Sequence, residues 1–134
     1  MLKIVGGTII REATINVADE TDWAFVEGLR SLGVDRNVAR SITYLKDVKE
    51  GSAKDIEMAT GLRQPEVSIA MRTLREMGWI SEHEVKNSGK GRPMKIYAML
   101  VTIEEIIEHY EAEKNQESAR TFEAIQRLKK LIAI

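Results

Sequence analysis

The sequence predicts a mainly α fold carrying one small β-hairpin, an α+β class. Three observations lead there. Apolar residues recur at three- and four-residue spacing through successive stretches from Trp23 to Ile132, the period of amphipathic helices. Between Gly78 and Leu100 that period is lost, and two short apolar-rich runs flank a turn-forming segment, Asn87-Ser88-Gly89-Lys90-Gly91-Arg92-Pro93. Helix punctuation agrees: Asp35, Ser52 and Thr102 stand before helical stretches, and Gly33, Gly61 and Gly78 stand after them.

Taken in order, Met1 to Val17 is rich in β-branched residues around Gly6-Gly7, which is strand or extended-arm chemistry with no partner indicated. Residues 1–18 are assigned to this arm. A first helix is expected from about Asp19 or Thr21, where Asp19, Glu20 and Asp22 suit a helix N-terminus. Asp35 opens a second helix, with Val38, Ile42, Leu45 and Val48 on one face. Gly51-Ser52 is a break. Ser52 and Asp55 form an S-x-x-D box that starts a short helix, which Thr60-Gly61 closes. Gln64-Pro65 begins the next helix, with Val67, Met71, Leu74 and Met77 as its inward stripe. Met58 is expected in the core as well. Trp79-Ile80 leads into a short strand candidate, Glu82-His83-Glu84-Val85, and Lys95 to Leu100 is a second. Thr102 and Glu105 form a T-x-x-E box ahead of a tail that is either one helix of about 30 residues, about 45 Å long, or two helices broken near Asn115. Residues 19–100 form the expected domain and 101–134 the tail.

Composition limits the function. The chain has 134 residues, 43% hydrophobic and 31% charged, an ordinary globular balance. Lys+Arg is 20 and Asp+Glu 21, a net charge of −1, so any nucleic-acid surface must arise from local segregation of charge. There is no Cys and there are only 2 His, so no disulfide, thiol nucleophile or Cys-zinc site is available. No apolar run is long enough for a membrane span or a signal peptide, and the expected compartment is the cytoplasm. No nucleophile–base pair, Gly-rich phosphate loop or metal-ligand spacing appears. Asp55 and Glu57 point to different helix faces and are no catalytic pair. The expectation is a non-enzyme without cofactor or metal.

Helix, short helix, turn, helix and hairpin is the order by which helix-turn-helix proteins put their second helix into the DNA major groove, and the hairpin makes the motif winged. Over roughly Asp35 to Leu100 the sequence resembles the winged helix-turn-helix transcription regulators of the MarR, ArsR and TrmB-like groups. The likeness rests on Gly51-Ser52-Ala53-Lys54-Asp55-Ile56, the turn Thr60-Gly61-Leu62, Pro65-Glu66-Val67-Ser68 with Leu74 and Met77-Gly78-Trp79-Ile80, and the wing Gly89-Lys90-Gly91-Arg92-Pro93-Met94-Lys95-Ile96-Tyr97. It implies a winged domain with extra N- and C-terminal helices that binds double-stranded DNA.

With Val67, Met71 and Leu74 inward, Gln64, Ser68 and Arg72 share an outward face at steps of four, with Arg63 just before them. Gln reads adenine bidentately, Arg reads guanine, and Ser is permissive. The bland alternative is a solvated polar helix face. Glu66 would either contact cytosine or repel phosphate. Lys86 to Lys95 holds Lys86, Lys90, Arg92 and Lys95 and no acid, a local +4 suited to phosphate or, at Arg92, to a narrow minor groove. The alternative there is a hairpin tip made basic for solubility. Glu104 to Glu117 carries six Glu against Lys114, so the acidic helix is expected to point away from DNA.

The apolar faces of the Trp23 helix and the tail call for burial, and a homodimer is the natural solution. Trp23, Ile103, Ile106, Ile107, Tyr110, Phe122, Ile125, Leu128 and Ile132 are the expected interface. Packing of the tail on the Trp23 helix is the alternative. Trp23, Phe25, Trp79 and Tyr110 either line a small-molecule effector pocket or are simply core. The rival to a DNA-binding regulator is a winged-helix protein-interaction module within a larger complex.

Overall fold

The computed structural model describes residues 3–5, 8–10, 20–86 and 91–134. It divides into two compact units, Met1–Val101 and Thr102–Ile134.

In the first unit, β1 (Lys3–Val5) and β2 (Thr8–Ile10) pair with each other as an antiparallel ribbon, Lys3 opposite Ile10. α1 spans Glu20–Ser31 and α2 Arg36–Val48. Asp35 caps α2, its carboxylate accepting from the Asn37 N–H at 3.0 Å. β3 (Glu50–Ser52) leads directly into α3 (Ala53–Thr60), followed by α4 (Gln64–Glu76), β4 (Ile80–Val85) and β5 (Met94–Met99). The three-stranded antiparallel sheet runs in the order β3-β5-β4. Ile80 lies opposite Met99, and Val85 opposite Met94, at the two ends of the hairpin.

α2 is the central helix, packed against α1, α3 and α4. Val38, Ala39 and every residue from Ser41 to Leu45 are buried. Its interior hydroxyls satisfy themselves locally: Ser41 donates to the Asn37 carbonyl and Thr43 to that of Ala39. Ile42, Leu45, Ile56, Val67, Met71, Leu74 and Ile80 form the most deeply buried core.

The helix limits follow the capping chemistry. Ser52 and Asp55 make a reciprocal capping box at α3, with hydrogen bonds of 3.0 and 3.2 Å. Gly61 ends α3 at φ +77°, the left-handed conformation that favours glycine, and donates to the Glu57 carbonyl. β3 is a strand in the segment that reads as a simple break. It pairs with β5, Gly51 opposite Tyr97, and passes so close to Tyr44 that a Cβ on Gly51 would lie 3.4 Å from that ring. Met58 and Met77 depart from the core expectation, being 47% and 37% exposed. Met77 lies at the C-cap of α4, beyond the last helical turn, so the three- and four-residue stripe no longer applies to it.

The second unit is a single unbroken helix, α5 (Ile103–Ala133). Thr102 and Glu105 form its capping box. The polar stretch from Glu111 to Ser118 stays helical, assisted by the His109–Glu113 and Lys114–Glu117 contacts at 3.7 and 3.6 Å. Among the described residues, no helix is long and apolar enough to cross a membrane.

Candidate nucleic-acid interface

α4 is placed by its buried stripe. Val67, Ala70, Met71 and Leu74 face the core, which leaves Gln64, Ser68 and Arg72 exposed together along the opposite side. Ile69, which the sequence reading passed over, is also exposed, at 58%. It adds a branched apolar side chain to a polar face. Its position next to Ser68 and outside the Val67–Met71–Leu74 stripe is the signal that could have found it.

Arg63 precedes the helix as its N-cap, and its side chain is 85% exposed. Glu66 turns back on the start of the helix. Its carboxylate accepts the Arg63 backbone N–H at 2.8 Å and lies 3.7 Å from the Arg63 guanidinium nitrogen Nε. That backbone hydrogen bond, with the nearby Arg63 charge, holds the Glu66 carboxyl below the ordinary carboxylate range. The start of α4 is therefore capped by its own side chain.

An ion-pair bridge joins α4 to the hairpin. Arg75 donates to Glu82 on β4 at 2.5 Å, and the Lys95 ammonium on β5 lies 3.7 Å from the other Glu82 oxygen. Lys95, expected at the DNA backbone, is exposed and shares the Glu82 carboxylate with Arg75. Lys86 and Arg92 are exposed, and among the described residues neither has an ion pair. Lys90 lies outside the described residues. Tyr97, in the centre of β5, is buried, and burial together with Glu82 raises its phenol above the usual value, keeping it neutral.

The arginine that sequence reading missed is Arg40. It donates to the Thr60 carbonyl at 3.0 Å, at the C-terminal end of α3, and its guanidinium sits 5.1 Å from the Trp23 ring centroid. One side chain thereby ties α1, α2 and α3 together, and a cation suits that helix terminus. Trp23 is half-buried beneath it, and Phe25 is half-buried with the Lys46 ammonium 4.8 Å from its centroid. Trp79 is buried. Asp55 serves as a cap, and no group of three or more possible metal ligands occurs among the described residues.

The tail residues expected at an interface fall into two sets. Ile106 and Tyr110 are buried within the single chain, and Ile103 is half-buried. Ile107, Phe122, Ile125, Leu128 and Ile132 are exposed, joined by Leu131.

This architecture recurs in solved structures. TrmBL2, an archaeal chromatin protein whose structure shows a novel mode of DNA binding, aligns with a TM-score of 0.64 and 16% identity over 83% of this chain and 41% of its own. NadR in complex with 4-hydroxyphenylacetate aligns with a TM-score of 0.50 and 18% identity over 93% of this chain and 90% of its own. NMB1585, a MarR family regulator from Neisseria meningitidis, aligns at a TM-score of 0.46 and 15% identity over 81% of this chain and 83% of its own. The first two carry the structural assignment. This chain spans about two-fifths of the length of TrmBL2. No protein-family model and no curated protein matches the sequence. The class is therefore a winged helix-turn-helix with an added helix on either side. The resemblance to the MarR and TrmB-like winged-helix groups is borne out as a likeness of fold.

Proposed function

We propose that the chain is a sequence-specific double-stranded DNA-binding transcription regulator acting as a homodimer. α4 enters the major groove with Gln64, Ser68 and Arg72 toward base edges, and Arg63 with the wing cations Lys86, Lys90, Arg92 and Lys95 engages the backbone or the minor groove. The observation that carries this reading is the outward face of α4: its polar side chains are exposed together while the opposite side is packed into the core. Lys86 and Arg92 of the hairpin, exposed and without an ion pair among the described residues, support it, because a molecule with a net charge of −1 offers phosphate only local positive sites. DNA binding by TrmBL2 agrees with the reading, as a property of that protein.

Ile69 extends the face. A branched apolar side chain beside polar readers suits the thymine methyl group in the major groove. The exposed tail residues Phe122, Ile125, Leu128 and Ile132 provide the dimer surface in this reading.

The test is selection of bound duplexes from a random pool, followed by titration at two salt concentrations. A reproducible palindrome with half-sites about one helical turn apart is the expected result. Equal binding of all sequences would remove the reader role of α4. Absence of DNA binding at low salt would leave the protein-interaction reading in its place.

A further inference from the structure

One face of the hairpin turns from apolar to charged as it leaves the core. Residues opposite each other in an antiparallel pair share a face, and the register sets Glu82 against Tyr97 and Glu84 against Lys95, in line with Ile80. On that face Ile80 and Tyr97 are buried, Glu82 is half-buried, and Glu84 and Lys95 are exposed. The face meets α4 at Glu82. Arg75 donates to one carboxylate oxygen, and the Lys95 ammonium lies 3.7 Å from the other. One acid therefore holds a cation of α4 and a cation of the hairpin.

Arg75 also belongs to the outward side of α4. It stands seven residues beyond Ser68, about two helical turns, and it is exposed. Glu82 thus lies where the two halves of the proposed DNA surface join. An acid in that place weakens the attraction of phosphate for both cations. The side chains of Arg75 and Lys95 are 50% and 51% exposed, and ion pairs that open to water add little to the stability of a fold. The work of Glu82 is then to be sought in recognition.

We propose that Glu82 is a specificity-determining residue of the DNA interface, which competes with phosphate for Arg75 and Lys95 and holds the two in one geometry. This deepens the function proposed above and rests on it. Binding to an arbitrary duplex runs on phosphate contacts, and long cationic side chains can follow phosphates in many seatings of the duplex. Tied to Glu82, Arg75 and Lys95 meet phosphate best in the one seating that also satisfies α4. In any other they must leave the carboxylate or bring it against the phosphate. Glu82 thereby lowers binding to wrong sequences more than binding to the right one, and specificity is that difference.

Glu82→Gln keeps the size of the side chain and removes its charge. The full chain is titrated over a series of salt concentrations with the duplex selected from the random pool and with a scrambled one. The scrambled duplex should bind the variant about three- to fivefold more tightly at low salt, the scale of one exposed ion pair. Its salt slope should steepen by about 1. The selected duplex should gain less, so the ratio of the two affinities falls. Equal gains on both would make Glu82 a plain repulsive charge and overturn the proposal. Losses on both, or a melting temperature far below that of wild type, would make it a support of the hairpin and overturn the proposal too.

Lys95→Gln supplies a second measurement, made with and without Glu82→Gln. Removing Lys95 should flatten the salt slope on the scrambled duplex more in the Glu82→Gln chain than in the chain that keeps Glu82. Equal flattening in both would show that Glu82 does not restrain Lys95, which overturns the proposal. A wild type that binds all sequences alike sinks the proposed function and this inference with it. A selective wild type whose affinity ratio survives Glu82→Gln sinks this inference alone.

Discussion

Arg72 and Arg92 are both exposed arginines, yet their surroundings assign them different work. Arg72 stands on a rigid helix beside Ser68, where a planar guanidinium can meet a base edge in a fixed orientation. Arg72→Ala should cost about 1–3 kcal/mol on the preferred duplex and relax the preference at one base position. Competition binding with single-base variants of the selected duplex measures it, and an unchanged preference would exclude Arg72 as a reader. Arg92 lies on the wing next to Gly91, which adopts φ +85°. Arg92→Ala should weaken binding to all sequences and reduce the salt slope by about 1. Ile69 has its own chemical test: replacing thymine by uracil at one position of the duplex should weaken the wild type and leave Ile69→Ala unaffected. Equal losses in both would mean that Ile69 does not meet a methyl group. Residue-level reading of the sequence found the polar face because periodicity alone places Gln64, Ser68 and Arg72. It did not show the contact of Lys95 with Glu82, since that contact depends on β4 and β5 lying side by side in a particular register.

The elements were legible where local chemistry sets them. Asp35, Ser52 and Thr102 each cap the helix they precede, and their signal lies within three residues of chain. β3 was not legible. It is three residues long, contains glycine, and exists through pairing with β5 more than forty residues away, which no local pattern records. The cap of α4 was hidden for another reason: Arg63 is no conventional N-cap residue, and Glu66 alone closes the turn. Two expectations belong here. Ser52→Ala removes the oxygen that accepts the Asp55 N–H and should lower stability by about 1 kcal/mol, read as a lower denaturant midpoint with unchanged slope. An unaltered midpoint would mean that the box adds nothing to the fold. Glu66 has a folded-state pKa below its unfolded value, so its contribution is complete above the ordinary carboxylate pKa. It is lost as pH falls through the lowered value. Wild type should therefore exceed Glu66→Gln in melting temperature at neutral pH, and the gap should close on acidification. A gap independent of pH would assign the difference to something other than this charge.

Across the whole molecule, one protomer offers one α4 and one wing, while α5 offers an uncovered apolar row. If the row joins two copies, affinity for a two-half-site duplex contains a linkage contribution in addition to the contacts themselves. Once one half-site is held, the second binds at a high effective concentration, a gain of about 10²–10⁴-fold when the geometry permits both to engage. Leu128→Asp places a charge in the row at a site exposed in the single chain, so the folded protomer should survive the change. The variant should sediment as a monomer and bind a single half-site as wild type does. On the two-half-site duplex it should lose most of the linkage gain, visible as a loss of at least about tenfold. A monomeric variant that kept full affinity for the longer duplex would show that the two halves are read independently, and that pairing of the protein contributes nothing to recognition.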